Sequence, residues 1–262
     1  MTLLEVQALG KRFPAHGEQD GPWVVRELSF ALREGEFVTM LGPSGAGKST
    51  ILNMIAQVDA PSEGRIRLAG ETVFDAAAPT ALRPGLGRRI GYVTQDDNLL
   101  PWRTLEENVL FGLEIEGRID EAGRARAREM MQAVGLTHYA GHYPHQLSGG
   151  MRKRAALIRT LVYDPPIILM DEPFGALDAH TRQQLQSDLQ ALWALKRKTI
   201  VFVTHDIAEA VALGERVLIL ERAPARLVAE HAVELPRPRV VDALLVQPDF
   251  VRLYDAIRAQ VR

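Results

Sequence analysis

Residues 36–50 read Glu36-Phe37-Val38-Thr39-Met40-Leu41-Gly42-Pro43-Ser44-Gly45-Ala46-Gly47-Lys48-Ser49-Thr50. The opening run is short and apolar, as a buried strand is. From Gly42 to Ser49 the residues fit G-x-x-x-x-G-K-[ST], and residues 49–57 then place apolar side chains at helical spacing. Strand, glycine-rich loop and helix in that order make a cradle for phosphate. Glycines let backbone N–H groups approach an anion, and a helix N-terminus adds roughly half a positive charge. Lys48 supplies a cation for the β- and γ-phosphates, and the Ser49 hydroxyl suits Mg2+, which takes oxygen donors and keeps several waters. A glycine-rich turn that merely precedes a lysine is the plainer alternative, and the flanking strand and helix weigh against it.

Further on, Ile167-Ile168-Leu169-Met170 is bracketed by Pro165-Pro166 and Pro173, too short for a helix and right for a buried parallel strand. It ends in Asp171-Glu172. Two carboxylates at such a strand end are costly unless paired or bound to metal. The reading is therefore a site, with Asp171 orienting the Mg2+ shell and Glu172 acting as general base toward an attacking water. The plainer alternative is an acidic turn capping the next helix.

Between these two motifs stands Leu147-Ser148-Gly149-Gly150-Met151, followed by apolar positions Ala155, Leu157, Ile158, Leu161 and Val162 at helical spacing. A Ser-Gly-Gly start exposes N–H groups at the positive end of a helix, which is an anion site. One P-loop already surrounds a nucleotide, so a second anion site in the same chain has no evident ligand of its own. An ordinary N-capped helix is the alternative.

Together these motifs resemble the ATPase subunits of ABC transporters, over residues 3–220. Leu147-Ser148-Gly149-Gly150-Met151 is similar to that family's signature. Gln95, ending the strand-like Ile90-Gly91-Tyr92-Val93-Thr94, resembles its Q-loop glutamine, a residue that also reaches the metal. Gly175-Ala176-Leu177-Asp178 resembles the D-loop, and His205, after residues 199–204, the switch histidine. Phe13 falls where the family carries an aromatic that stacks on adenine, with Trp23 as the other candidate. The resemblance implies ATP and Mg2+ as cofactors. It also implies a head-to-tail dimer of two copies, in which Ser148, Gly149 and Gly150 of one copy cap the γ-phosphate held by the other's P-loop. Glu172, His205, Gln95 and Asp178 would be the catalytic set. Phe13, Gly42, Pro43, Ser44, Gly45, Ala46, Gly47, Lys48, Ser49 and Thr50 would bind the nucleotide, and Ser49, Gln95 and Asp171 the metal.

The expected fold is α/β, a P-loop NTPase with a mostly parallel core sheet and an N-terminal antiparallel portion. Residues 3–9 alternate as an edge strand, with 24–32 as its neighbour and a polar turn cluster at 14–22 between them. A helical subdomain at about 96–163, including a helix over 121–134, is inserted in the single domain, and a short tail covers about 232–262. Nucleotide sites in such sheets gather at the carboxyl ends of the strands.

Composition bounds the class. The chain has 262 residues, 47% hydrophobic, no cysteine and a formal charge of −2. No stretch approaches the roughly twenty apolar residues of a membrane span, and Met1-Thr2-Leu3-Leu4-Glu5 has no signal-peptide character. Lack of cysteine removes disulfide and thiolate-metal chemistry. A slightly acidic balance argues against a nucleic-acid surface, hence against a soluble ABC ATPase acting on DNA or ribosomes. Arg124, Arg126 and Arg128 read as a solvated helix face. His138, His142 and His145 lie in a Gly- and Pro-broken loop without nearby carboxylates, and Trp193 lies on an apolar helical stripe.

Asn98-Leu99-Leu100-Pro101-Trp102-Arg103-Thr104, Met151 and Asp171-Glu172-Pro173-Phe174-Gly175-Ala176-Leu177-Asp178 resemble the importer ATPases for nitrate, taurine and alkanesulfonates. That resemblance implies membrane permease subunits and an extracytoplasmic solute-binding protein as partners. It also implies a peripheral position on the cytoplasmic face of the membrane. Trp102 is either a docking residue for the permease or local packing. Lys153 stands where many relatives carry Gln, a departure expected not to touch catalysis.

Overall fold

The computed structural model describes residues 1–14, 21–78, 88–175 and 177–261. In chain order it begins with β1 (Thr2–Arg12), β2 (Trp23–Arg33), β3 (Phe37–Leu41), α1 (Lys48–Ile55), β4 (Glu63–Leu68) and β5 (Glu71–Asp75). There follow β6 (Ile90–Val93), α2 (Leu105–Ile115), α3 (Glu121–Ala133), α4 (Gly149–Leu161), β7 (Ile167–Asp171) and α5 (Ala179–Lys196). The last part comprises β8 (Thr199–Thr204), α6 (Ile207–Leu213), β9 (Arg216–Leu220), β10 (Leu227–Ala232), α7 (Val241–Leu244) and α8 (Pro248–Arg258). The chain forms two compact units, Met1–Leu86 with Arg197–Arg262, and Gly87–Lys196.

The first unit holds an antiparallel sheet in the order β2-β1-β4-β5. β1 is not the edge strand that its alternation suggests, because β4 pairs along its second side. That partner is the short, charged stretch Glu63-Gly64-Arg65-Ile66-Arg67-Leu68, in which Ile66 and Leu68 are the only buried side chains. Two inward residues in six are too faint a period-2 signal to mark a strand in advance. Of the polar cluster at 14–22, residues 15–20 lie outside the described residues.

A second sheet in this unit runs β10-β9-β3-β8. β3 lies between β8 and β9 and is parallel to both, while β10 is antiparallel to β9. Every residue of β3 and of β8 is buried. This is why both segments are mainly apolar, with threonine the one polar residue type in them: a parallel strand is covered on both faces. The tail helices α7 and α8 place Leu244, Phe250 and Ile257 in one buried cluster with Leu41 and with Ala210, Val211 and Ala212 of α6.

The second unit pairs β6 with β7 in parallel and adds α2, α3, α4 and α5. Thr104 and Glu107 form a reciprocal capping box at the start of α2, and Asp120 caps α3. On α5, Leu185, Leu189 and Trp193 fall four residues apart and are all buried. One stripe of that helix thus faces the core, worth roughly 1.5–3 kcal/mol for each such side chain. Trp193 is packing, as its spacing suggests. Arg124 and Arg128 are exposed, Arg126 donates to the Val162 carbonyl at 3.3 Å, and His142 and His145 lie against the rings of Tyr139 and Tyr143. No helix among the described residues is long and apolar enough to cross a membrane.

Candidate phosphate-binding and catalytic site

In the first unit, two loops leave the carboxyl ends of neighbouring strands. β3 and β8 run in parallel with Leu41 opposite Thr204. Gly42 and His205, the next residues, therefore start from adjacent positions on the same edge. From Gly42 the chain turns through Gly45 and Gly47, whose φ angles of 77° and 76° lie in the left-handed region that residues with a Cβ avoid. At Gly47 a Cβ would also stand 3.1 Å from the Val24 carbonyl oxygen. Gly47 caps α1 without any side-chain hydrogen bond to the first turn, so no side chain competes for the amide end of the helix. Ser49 is exposed at this end. Lys48 is buried, and its ammonium donates to the carbonyls of Gly42 and Pro43 at 2.8 and 2.9 Å, which fixes a cation across the loop.

His205 is exposed between two anchored neighbours. Thr204 is buried, its hydroxyl donates to the Glu209 carboxylate, and the same hydroxyl oxygen accepts from the Asp206 amide at 3.0 Å. Asp206 caps α6 by accepting from the Glu209 amide at 3.1 Å. Phe13 follows β1 and is 40% exposed, with the Lys11 ammonium 4.8 Å from its ring centroid. Trp23 is more enclosed: the Arg12 guanidinium lies 3.8 Å from its ring, and a Cβ on Gly10 would meet that ring at 2.8 Å.

The second unit repeats the geometry. β6 and β7 are parallel with Val93 opposite Met170, so Gln95 and Glu172 both stand two residues beyond paired strand ends, with Asp171 ending β7. Gln95 is exposed, and Asp171 and Glu172 are half-buried. Glu172 has φ 41°, an unfavourable value for a side chain, and such strain gathers where function over-determines the backbone. The helix that follows is capped by Asp178, which accepts from the Thr181 amide at 3.0 Å. This hydrogen bond holds the Asp178 carboxyl below the usual carboxylate range. Capping thus falls to Asp178 and leaves the Asp171-Glu172 pair to other work. Ala176, between them, lies outside the described residues.

Ser148 caps α4, accepting from the Met151 amide at 3.3 Å, and both Ser148 and Gly149 are exposed. The two glycines differ in what demands them. A Cβ on Gly150 would strike the Thr181 side chain at 2.6 Å, whereas one on Gly149 would meet only the Arg152 guanidinium, at 3.9 Å. Packing within this chain needs the second glycine and leaves the first open to approach from outside.

Residues absent from the expected site also shape it. The Lys153 ammonium donates to the Gln95 carbonyl, so this residue does touch the glutamine loop. Arg152 pairs with Asp97 at 3.0 Å, and Arg159 donates to the carbonyls of Asp97 and Asn98 at 2.9 and 2.6 Å. Arg152 and Arg159 are seven apart and share a helix face, a spacing visible beforehand, although their targets around Asp97 are not. Nearby, the buried Asn108 amide serves the carbonyls of Leu100, Arg103 and Thr104 at 3.0–3.1 Å and accepts from the Leu100 amide at 2.7 Å. The turn so fixed carries Trp102, which is 70% exposed. Beside it a groove of about 470 Å³ is lined by Tyr92, Asn98, Leu100, Phe111, Arg159 and Tyr163. Burial pushes the Tyr163 phenol up to about 12.

Ser49, Gln95 and Asp171 offer a hydroxyl, an amide oxygen and a carboxylate. Each is a hard oxygen donor of the kind that Mg2+ accepts alongside waters and phosphate oxygens.

The family model described as ABC transporter matches residues 25–175. The chain is 38% identical over 261 residues to a taurine import ATP-binding protein of Pseudomonas aeruginosa, covering 98% of this chain and 95% of that one. It is 39% identical over 216 residues to an aliphatic sulfonates import ATP-binding protein of Bacillus cereus, covering 82% and 81%. An uncharacterised ABC transporter ATP-binding protein of Methanocaldococcus jannaschii is 42% identical over 236 residues, covering 90% and 84%. Among solved structures, a dimeric bacterial ABC transporter cassette superposes with a TM-score of 0.77 at 34% identity, over 89% of this chain and all of that one. The post-hydrolysis dimer of an ATP-binding cassette bound to ADP and Pi gives 0.76 at 33% identity, with the same coverage.

Proposed function

The chain belongs to the ABC transporter family and is an ATP hydrolase, and from that premise we propose that it powers import of a small anionic solute through separate permease subunits. Taurine, an alkanesulfonate or nitrate is the solute class. The relatives named for taurine and sulfonate import support it. The observation that carries the ATPase reading is the paired placement of loops: Gly42 beside His205, and Gln95 beside Asp171-Glu172, each pair leaving in-register parallel strands.

In this reading the loop from Gly42 to Thr50 holds the phosphates by backbone N–H groups, with Lys48 as the fixed cation. Phe13, whose ring is the more exposed, stacks on adenine. Ser49, Asp171 and Gln95 would hold Mg2+, which would supply positive charge against the negative charge of the transferring phosphoryl group. The Glu172 carboxylate orients the attacking water and accepts its proton as the new P–O bond forms and the bond to the β-phosphate oxygen breaks. His205 holds the γ-phosphate end. Two copies pair head to tail, so that Ser148, Gly149 and Gly150 of one face the phosphate of the other, as the openness at Gly149 supports. Asp178 lies beside that junction. The permease docks a short helix on the Trp102 turn and its groove, and an extracytoplasmic binding protein delivers solute to the permease. The protein then sits peripherally on the cytoplasmic face of the membrane.

Reconstitution tests this reading. The chain, its permease and binding protein in vesicles should accumulate taurine, an alkanesulfonate or nitrate only with hydrolysable ATP. Uptake of none of the three, with another solute class accumulating, would replace the solute assignment. Absence of ATPase activity in the assembled complex would remove the whole reading.

A further inference from the structure

α6 has seven residues, fewer than an isolated helix needs to persist in water, so its position is set by what surrounds it. Its first turn is fastened to the loop that carries His205, through Thr204, Asp206 and Glu209. Its last turn is fastened to the tail. Arg239 is 3% exposed and donates to the carbonyls of Val211 at 3.1 Å and Val233 at 2.9 Å. It also donates to Leu235, at 3.1 and 2.7 Å, and to the Gly214 carbonyl. Arg237 adds a hydrogen bond to the Leu213 carbonyl at 2.6 Å.

The chemistry of this end is specific. The last carbonyls of a helix lack partners within it, and the negative end of its dipole favours a cation. A guanidinium spreads five donors in a rigid plane, and here they reach four carbonyls at once, which an ammonium on a flexible stem cannot match. Burial lowers the Arg239 pKa to about 10, which leaves it charged at neutral pH. The apolar side is covered as well. Phe250, Ile257 and Leu244 of the tail pack with Ala210, Val211 and Ala212 of α6 and with Leu41, the residue that precedes Gly42. At 1.5 Å rise per residue α6 spans roughly 10 Å, so its two fastened ends are joined by about two turns of continuous helix. A shift at its Arg239 end is therefore carried to the His205 end.

We propose that Arg239 is a positioning residue for hydrolysis, and that the tail beyond β10 sets, through α6, where the His205 side chain stands against the γ-phosphate. The proposal rests on the assignment of His205 made above. A tail that served only to stabilise the fold would give a different result.

The test uses the full chain with its permease and compares Arg239→Lys, Arg239→Met, His205→Ala and the double variant Arg239→Lys/His205→Ala. Arg252→Ala, on the exposed side of α8, is the control. Arg239→Lys should lower kcat about ten- to a hundredfold, the scale of an ångström-sized misplacement, while KM for ATP and the Kd of a non-hydrolysable ATP analogue stay unchanged. The double variant should be no slower than His205→Ala alone, because the arginine acts through the histidine. A folded Arg239→Lys or Arg239→Met with normal kcat overturns the proposal. So does a loss that multiplies with that of His205→Ala, or one in which kcat and melting temperature fall while KM for ATP rises. If Arg239→Met fails to fold, Arg239→Lys, which keeps the charge, still decides. Normal turnover by His205→Ala would overturn the histidine assignment first and this proposal with it. Normal turnover by Arg239→Lys alone removes only the proposal.

Discussion

The ammonium of Lys153, in the second turn of α4, donates to the main-chain carbonyl of Gln95 across 58 residues of sequence. With Arg152 on Asp97 and Arg159 on the carbonyls of Asp97 and Asn98, it ties the helix behind Ser148 to the loop that carries the glutamine. Lys153→Met, which keeps the stem and removes the donor, should lower hydrolysis several-fold with ATP affinity retained. Lys153→Gln, which keeps a donor, should stay near the parent rate. Equal rates for all three proteins would show that this tie is idle.

Lys153 also gives a pH dependence whose sign is fixed. Burial lowers its pKa below the ordinary lysine value of 10.5. Between the folded value and 10.5 the unfolded chain binds more protons at this position, so its contribution to stability rises with pH in that alkaline window. Denaturant midpoints of the parent relative to Lys153→Gln should accordingly move in the parent's favour as pH approaches 10.5. No movement would place the lysine in water, and movement in the other direction would mean that its carboxylate neighbours outweigh its burial.

Lys48→Ala removes the cation that spans Gly42 and Pro43. Calorimetric titration should show loss of tight ATP binding, and hydrolysis should fall with it. Normal binding and turnover in this variant would dismiss the phosphate-cradle reading.

Ser148→Arg replaces an exposed helix cap by a bulky side chain at the end of α4. Loss of a cap costs about 1 kcal/mol, too little to unfold the unit, so the isolated subunit should still bind ATP. Hydrolysis should be lost if, as proposed, the obstruction faces the opposing copy. Full activity with an unaltered dimer would rule out head-to-tail closure.

Glu172→Gln keeps shape and polarity without a proton-accepting carboxylate. ATP should hold two such subunits together by mass action, so light scattering should report a lasting ATP-dependent dimer with turnover reduced by orders of magnitude. A variant that hydrolyses ATP at the parent rate would need another base.

Trp102 is 70% exposed on a turn held by buried Asn108. Trp102→Ala should spare basal ATPase and melting temperature while uncoupling solute uptake in vesicles. A lowered melting temperature with loss of both activities would instead assign the indole to packing.

Much of this was legible in advance, for identifiable reasons. β3, β7 and β8 announce themselves because both their faces are covered, and α4 because a serine cap precedes its apolar period. Strand pairing supplies what spacing cannot: that Gly42 starts beside His205, and Gln95 beside Glu172. β4 was obscure because its inward face carries two residues. Nothing in Arg237-Pro238-Arg239 reveals that carbonyls at the end of α6 will accept from its second arginine. The contact made by Lys153 is hidden for the same reason, its partner being main chain and therefore silent in the residue code.

The position of β3 between β8 and β9 has a consequence for biosynthesis. Both hydrogen-bonding edges of the strand that leads into the phosphate loop are filled by segments from the last quarter of the chain. At about 5–20 residues per second, a ribosome needs roughly 10–30 s to travel from Leu41 to Thr204. Once β3 emerges, its five residues, all buried in the folded chain, wait for most of that interval without either neighbour. The nascent chain should therefore acquire nucleotide affinity abruptly and late, and arrested chains ending before β9 should need chaperone cover to stay unaggregated.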